Sequence, residues 1–432
     1  MRSLQRFRTS LVGLSLVVAA SGVSFGSGFG LFEQGAKATA MGGAFAATAD
    51  DPSAIFYNVA GIAQQRHMVL MTGGTGINFA NQFKGDPNDP LTSGANERYR
   101  NHTFIPPNAY LLIPIGSNAT FGVGVFSPFG LRTNWENPNR FIGRFISQDA
   151  NLKAIDVEPA FAWQTSDGRF AFGAGADYRR MHIILARNSA ALNPFNQRIS
   201  DVANARLNSD WDNAWGYNAG ILFKPSSTWS LGASYRSNMD IDFKGKAHFT
   251  QIPTGFPQFD AAAKALIPPD QGITTTISMP AITSLGIATT GITGWQLELD
   301  TTYTTWSRFK NLDVAFDTTP AVNIHRPQNW HNSWSYRIGG NRHVTDNWDI
   351  RLGAVYDKNP QPTSGVGPLL PDANRVGPSF GIGYHGDHVT FDATEFVLHF
   401  LPRNTQGQNV DNFNGTYKTD ANLISLNLGY KF

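Results

Sequence analysis

Residues 422–432 read NLISLNLGYKF, and the alternation in this stretch decides the fold. Ile424, Leu426, Leu428, Tyr430 and Phe432 share one parity, while Ser425, Asn427, Gly429 and Lys431 share the other. Successive side chains of a strand point to opposite faces, so this is a strand with one apolar and one polar side. The same reading applies far upstream. Ile155, Val157, Phe161 and Trp163 alternate with Asp156, Glu158, Ala162 and Gln164. Trp211, Trp215, Tyr217, Ile221 and Phe223 oppose Asp212, Gly216, Asn218 and Lys224, and Trp295, Leu297, Leu299 and Tyr303 oppose Gln296, Glu298 and Asp300. A secreted sandwich would turn the apolar face into a core; a membrane barrel turns it to lipid and lines its lumen with the polar face.

Three features favour the barrel. Aromatic residues stand at strand ends (Trp211, Trp229, Trp295, Trp306, Trp348, Tyr430), where interfacial girdles are expected. The strands run to about ten residues or more, longer than ordinary strands. Tight turns such as 224–228 and 345–348 alternate with long polar loops at 186–208, 250–272, 307–331, 358–377 and 401–418. Lipid offers an open sheet edge no hydrogen-bond partner, so the sheet must close. Fourteen alternating segments, the first near 67–79 and the last near 419–432, predict an all-β, 14-stranded antiparallel transmembrane β-barrel over 66–432.

Composition agrees. Only 15% of the 432 residues are charged, the formal charge is +2, and mean hydropathy is −0.24, too polar for a bundle of membrane helices. The charge balance provides no basic face for nucleic acid. The absence of cysteine excludes thiolate metal sites, thiol catalysis and disulfides. No hydrolase, zincin or phosphate-loop motif occurs, and no enzyme, metal or cofactor is expected. Residues 1–26 read as a cleaved export signal: Arg2, Arg6 and Arg8, an apolar run from Leu11 to Val23, then small residues at Ser24, Gly26 and Ser27. A barrel of this size leaves a lumen, and residues 27–65 are left over to fill it. Their apolar Phe29, Leu31, Phe32, Ile55, Phe56 and Tyr57 want burial, so a plug is predicted there. Ala190, Ala191, Leu192, Pro194 and Phe195 in one long loop, and Phe256, Phe259, Ala262, Ala265, Leu266 and Ile267 in another, are too apolar for loops in water. Phe126-Ser127-Pro128-Phe129-Gly130 ends one strand, where Pro removes a ladder donor and Gly permits a bend.

Several stretches in order resemble the FadL family of outer-membrane transporters for long-chain fatty acids and other hydrophobic compounds. SGFGLFEQGAKATAMGGAFAATADDPSAIFYNVAG (27–61) resembles the family's N-terminal hatch, and FGVGVFSPFGLRTNWENPNRFIGRF (121–145) its third strand and following loop. WGYNAGILF, SYRSNMDIDFKG, TTWSRFKNL, DNWDIRLGAVYDKNPQP and LPDANR resemble later landmarks. The hatch usually carries Asn-Pro-Ala, whereas Asn58-Val59-Ala60 here lacks the proline. The resemblance implies a Gram-negative outer-membrane protein, expected as a monomer, that imports a fatty acid or hydrocarbon. Ligand would be caught in a groove between loops 186–208 and 250–272, with Leu192, Phe195, Phe256, Phe259 and Leu266 as its apolar surface. It would pass Phe29 and Phe32 of the hatch and leave through a gap at Pro128, Phe129 and Gly130, with Asn58, Val59 and Ala60 in the gating turn. The family's carboxylate-binding cations fall on Arg180 and Arg326, although strand parity leaves Arg179 and Arg180 open and pairing with Asp177 or loop acids is the alternative. A hydrocarbon importer of the same fold, or a general diffusion porin, is the competing function.

Overall fold

The computed structural model describes residues 28–100 and 102–432. The export signal expected over 1–26 lies outside the described residues. Fourteen strands close a single antiparallel barrel. They are β1 (Val69–Gly85), β2 (Pro107–Ile115), β3 (Ala119–Phe126), β4 (Asp149–Gln164) and β5 (Phe170–Asn193). Then come three interrupted strands: β6 (Arg198–Ser209 and Asp212–Phe223), β7 (Trp229–Arg236 and Met239–Gln251) and β8 (Gln271–Met279 and Ile282–Thr289). β9 (Trp295–Thr304), β10 (Ser333–His343), β11 (Trp348–Asp357), β12 (Arg375–His385), β13 (Val389–Asn404) and β14 (Gly415–Lys431) complete the wall. The seam pairs β14 with β1 from Val69↔Lys431 to Gly85↔Gly415, so no edge is left along it.

The faces follow the alternation. On β14, Leu428 is 55% exposed outward and Asn427 3% exposed inward. Trp211, Trp229, Trp348 and Tyr430 lie on the outer face. Trp306 does not: it is 1% exposed and sits inside the barrel, packed on Phe29 rather than at an interface. Its strand ends at Thr304, and the short helical turn Trp306–Arg308 folds back over the lumen. The expected loop at 186–208 is also corrected. β5 continues to Asn193 and pairs with Arg198–Ser209, so the wall extends beyond the membrane as a hairpin turning at 194–197. The loop at 250–272 carries helix α3 (Pro257–Leu266), and 307–331 contains a small hairpin of Asn311–Phe316 with Ile324–Pro327.

Residues 28–65 fill the lumen as α1 (Ala36–Ala40), α2 (Ala54–Tyr57) and a tight helical turn Val59–Gln64. The segment is rich in Ala and Gly, and its own side chains satisfy only part of its backbone, as Thr39 does for the Gly35 carbonyl and Asn58 for that of Ala46. The wall satisfies much of the rest. The Asp300 carboxylate accepts from the Phe45 and Ala46 N–H groups at 2.7 and 2.8 Å, and Glu298 accepts from Ala47 and Thr48 at 2.6 and 3.1 Å. Ala36 N–H donates to Asn427 Oδ1, Thr394 Oγ1 donates to the Ala36 carbonyl, and Ser379 Oγ bridges Gly42 N–H and the Ala40 carbonyl. Gly42, with φ of 67°, leaves no room for a side chain: a Cβ would lie 2.7 Å from the backbone of Ala354. Removing both carboxylates with Glu298→Ala and Asp300→Ala strips four buried amides of acceptors, at about 1–3 kcal/mol each. The barrel is expected to insert normally while bilayer conductance and uptake of small hydrophilic antibiotics rise; unchanged conductance would contradict this account.

Candidate functional site

The outer end of the barrel holds an apolar groove of about 730 Å³. Leu185 and Leu207 of the β5–β6 hairpin form one wall, Phe259, Ala263 and Leu266 of α3 another, and Phe316 of the small hairpin closes it. Phe259 is buried but Leu266 is 85% exposed, an apolar surface with no cover. Of the expected groove residues, Phe259 and Leu266 line the cavity. Phe256 packs behind them against Phe259, Ala263 and Val202. Leu192 and Phe195 stand exposed at the hairpin tip, where Phe195 stacks on Phe256 at 5.9 Å.

Two cations lie in the groove. Arg326 is held by Asp411, at 2.5 Å from Nη2 to Oδ2 and 3.2 Å from Nη1 to Oδ1. This is the loop-acid pairing that the sequence left open. Arg187, which sequence reasoning missed, has no ion-pair or hydrogen-bond partner for its guanidinium among the described residues, and Arg326 and Asp411 are its electrostatic neighbours. Its signal was present: a lone Arg in the apolar run ILARNSAAL, obscured by reading that run as loop.

Arg180 is displaced from the expected clamp. Strand parity turns it to the outer face, where it lies over the Trp211 ring at 5.8 Å and donates to the Trp211 carbonyl. Arg179 is the inward residue, but it is saturated: Nε and Nη2 donate to Asp156 at 2.8 and 2.6 Å, with Asp177 at 3.6 Å. A buried, fully paired arginine is not a vacant carboxylate site.

The ladder between β3 and β4 is interrupted at Ser127 to Phe129. β3 ends at Phe126 opposite Asp156, and the chain resumes pairing with β4 as Gly130–Asn134, Gly130 opposite Lys153. Three residues on one side face two on the other, a bulge that turns Pro128 and Phe129 out of the ladder. β2 begins only at Pro107, so it does not cover this stretch. The hatch does. Leu31 N–H donates to the Pro128 carbonyl at 2.8 Å, Gly130 N–H to the Phe29 carbonyl at 3.1 Å, and Gln34 exchanges bonds with Ser127 through its side-chain amide. Behind this seal Phe29 meets Trp306, Phe309, Trp330 and Phe129 at ring distances of 4.7, 5.8, 5.8 and 6.0 Å. Phe309 and Trp330 fall in a stretch expected to be polar loop, which hid them.

Phe32 points elsewhere, against Phe56 and under Arg337. Asn58 is fully buried and caps the following turn: its Oδ1 accepts from Ala60 N–H, and its Nδ2 donates to the carbonyls of Ala46 and Ile221. Asn58, Val59 and Ala60 thus fix the lower end of the hatch to β6, whereas the window contacts come from Phe29 to Gln34. At the upper end Asp372 accepts from Gly28 N–H at 2.9 Å, its carboxyl pushed up to about 6 by burial against the opposing pull of Arg375 and Arg403.

A narrow cavity of about 60 Å³ lies between the two regions. It shares Leu185, Leu312 and Arg326 with the groove, and Phe29, Leu131 and Leu370 with a third cavity of about 320 Å³ at the window.

A closed, plugged membrane barrel with apolar cavities along its interior is the architecture of an outer-membrane transport protein. The profile described as outer membrane protein transport protein (OMPP1/FadL/TodX) matches residues 17–432, and the chain belongs to that family of transporters of hydrophobic compounds. It is 25% identical over 350 residues to a long-chain fatty acid transport protein of Salmonella typhi, covering 76% of each chain. A Pseudomonas aeruginosa FadL homologue superposes with a TM-score of 0.81 at 22% identity, covering 94% of this chain and all of the other. The Pseudomonas putida toluene transporter TodX superposes at 0.69 with 18% identity, covering 93% of this chain and 98% of that one. Its place is the outer membrane.

Phe29→Ala removes the ring on which the seal rests, at about 3–5 kcal/mol of local docking. The amides of Leu31 and Gly130 should then exchange with solvent much faster while those of β14 do not; equal protection in the variant would show that Phe29 does not hold the hatch.

Proposed function

We propose that the protein takes up long-chain fatty acids. The acyl chain is caught in the outer groove, its carboxylate is met by Arg187 beside the Arg326–Asp411 pair, and the molecule moves inward along the cavities. Withdrawal of Phe29 to Leu31 from the window then lets it leave sideways into lipid. The observation that carries this reading is the shared lining of the three cavities, which connects groove to window by apolar side chains, with an unpaired cation at the capture end. A desolvated carboxylate needs a cation or donors, which an aromatic hydrocarbon does not. An apolar chain gains nothing from water and gains everything from delivery into the bilayer.

The test is uptake of radiolabelled oleate and, separately, toluene by cells lacking their own transporter. Oleate uptake should depend on the protein and fall about tenfold with Arg187→Ala and Arg326→Ala together, the loss of one charged hydrogen bond or more. Toluene entry should be untouched by these changes. Toluene uptake without oleate uptake would establish the hydrocarbon importer instead, and conductance of sugars or ions alone would establish a porin.

A further inference from the structure

The window cavity carries positive charge that capture at the outer groove does not use. Its walls are apolar, from Leu31, Phe79, Phe104, Leu131 and Phe400. Its other lining residues include four permanent cations (Arg100, Arg132, Lys153 and Arg375) and His102 against one carboxylate, Asp372. Asp372 is already engaged, one oxygen by Gly28 N–H and the other by Ala373 N–H, both at 2.9 Å. Arg375 lies over the Phe400 ring at 5.2 Å with Asp357 at 3.7 Å, and Arg132 reaches Asp149 only at 3.4 Å. Arg100 and Lys153 have no ion pair or side-chain hydrogen bond among the described residues, and both are exposed.

Their position matters as much as their charge. Lys153 pairs across the ladder with Gly130, the residue at which the broken strand resumes, and shares the outward parity of Ile155 and Val157. Arg100 N–H donates to the Asn134 carbonyl, at the far end of the same resumed segment. The two cations thus bracket Gly130–Asn134, beside a cavity whose lining includes the outward-facing Lys153. Apolar walls with unpaired cations at the rim suit a single long chain ending in an anion: the tail is removed from water while the head gains a charge-assisted bond.

We propose that the window is an anion-binding exit station, in which Arg100 and Lys153 hold the charged head of an acyl amphiphile whose tail occupies the cavity. The inference rests on the lateral path proposed above and assigns it a selectivity for acids over neutral chains. The anion is the carboxylate of departing cargo or the phosphate of an outer-leaflet lipid, which share this chemistry.

The experiment uses the full mature chain in phosphatidylcholine nanodiscs with a palmitate analogue carrying a photoreactive diazirine on its chain. Its primary amide serves as the neutral probe, and labelled residues are mapped by mass spectrometry. The acid should label the region of Phe104 and Leu131 about tenfold more than the amide. Arg100→Gln with Lys153→Gln should bring the acid down to the level of the amide, and Arg100→Lys with Lys153→Arg should restore it. Equal labelling by acid and amide, or labelling indifferent to the glutamine pair, would overturn the station. In nanodiscs containing lipid A, loss of acid labelling assigns the site to lipid phosphate, and retention assigns it to cargo. Window labelling by the acid in a protein that imports no oleate would remove the uptake reading and leave the station standing. Oleate import without acid preference at the window would remove the station alone.

Discussion

The structure depends on a transfer of hydrogen bonds from wall to plug. The plug's buried backbone amides have no neighbouring strand for most of their length, and each hydrogen bond left unmade is costly. The hatch of this protein is rich in Ala and Gly between residues 35 and 49 and brings few polar side chains of its own to that stretch. Glu298, Asp300, Asn427, Ser379 and Thr394, all on the polar parity of their strands, supply what it lacks. Small hatch residues and polar wall residues are therefore one design. Larger residues in the hatch would not fit, as Gly42 against Ala354 illustrates, and apolar residues on the wall would leave the hatch backbone unsatisfied.

The window uses the same logic with fewer bonds. Over most of the wall the ladder is continuous, but at Pro128 the sheet loses its neighbour and a stretch of the hatch takes the vacant place. Two backbone bonds and the Gln34 amide hold that stretch, reinforced by the rings around Phe29. The base of the hatch has far more: Asn58 ties it to β6 and two carboxylates grip residues 45–48. The plug is thus held by backbone-to-carboxylate bonds at its base and mainly by packed rings at its tip.

Most of the architecture was legible in the sequence because period-two alternation is a direct imprint of a two-faced wall. From Ile424 onward the ISLNLGYKF pattern alone assigns outward and inward residues of β14 correctly, although Leu423 just before it points inward. The site was less legible, for identifiable reasons. Arg179 and Arg180 stayed open because the run GAGAD before them marks neither face clearly by hydropathy, and it is the ion pair with Asp156 on β4 that identifies Arg179 as the inward residue. Trp306 looks like a girdle residue because it follows a strand; only the chain's turn over the lumen after Thr304 makes it a core residue. Arg187 was lost because a strand that leaves the membrane ceases to alternate between lipid and lumen, so 186–208 reads as loop while it is a paired hairpin.

The bonds that seat the plug also impose an order on assembly. Ala36 finds its acceptor 391 positions away on the last strand, and Ala47 finds its own 251 positions away on the ninth. Neither acceptor occupies its place until strands from both halves of the chain stand side by side in a closed ring. Contacts of such sequence separation form late, because loop closure must be paid before they give any return. The first described segment of the chain therefore has its full set of acceptors only once the wall around it has closed.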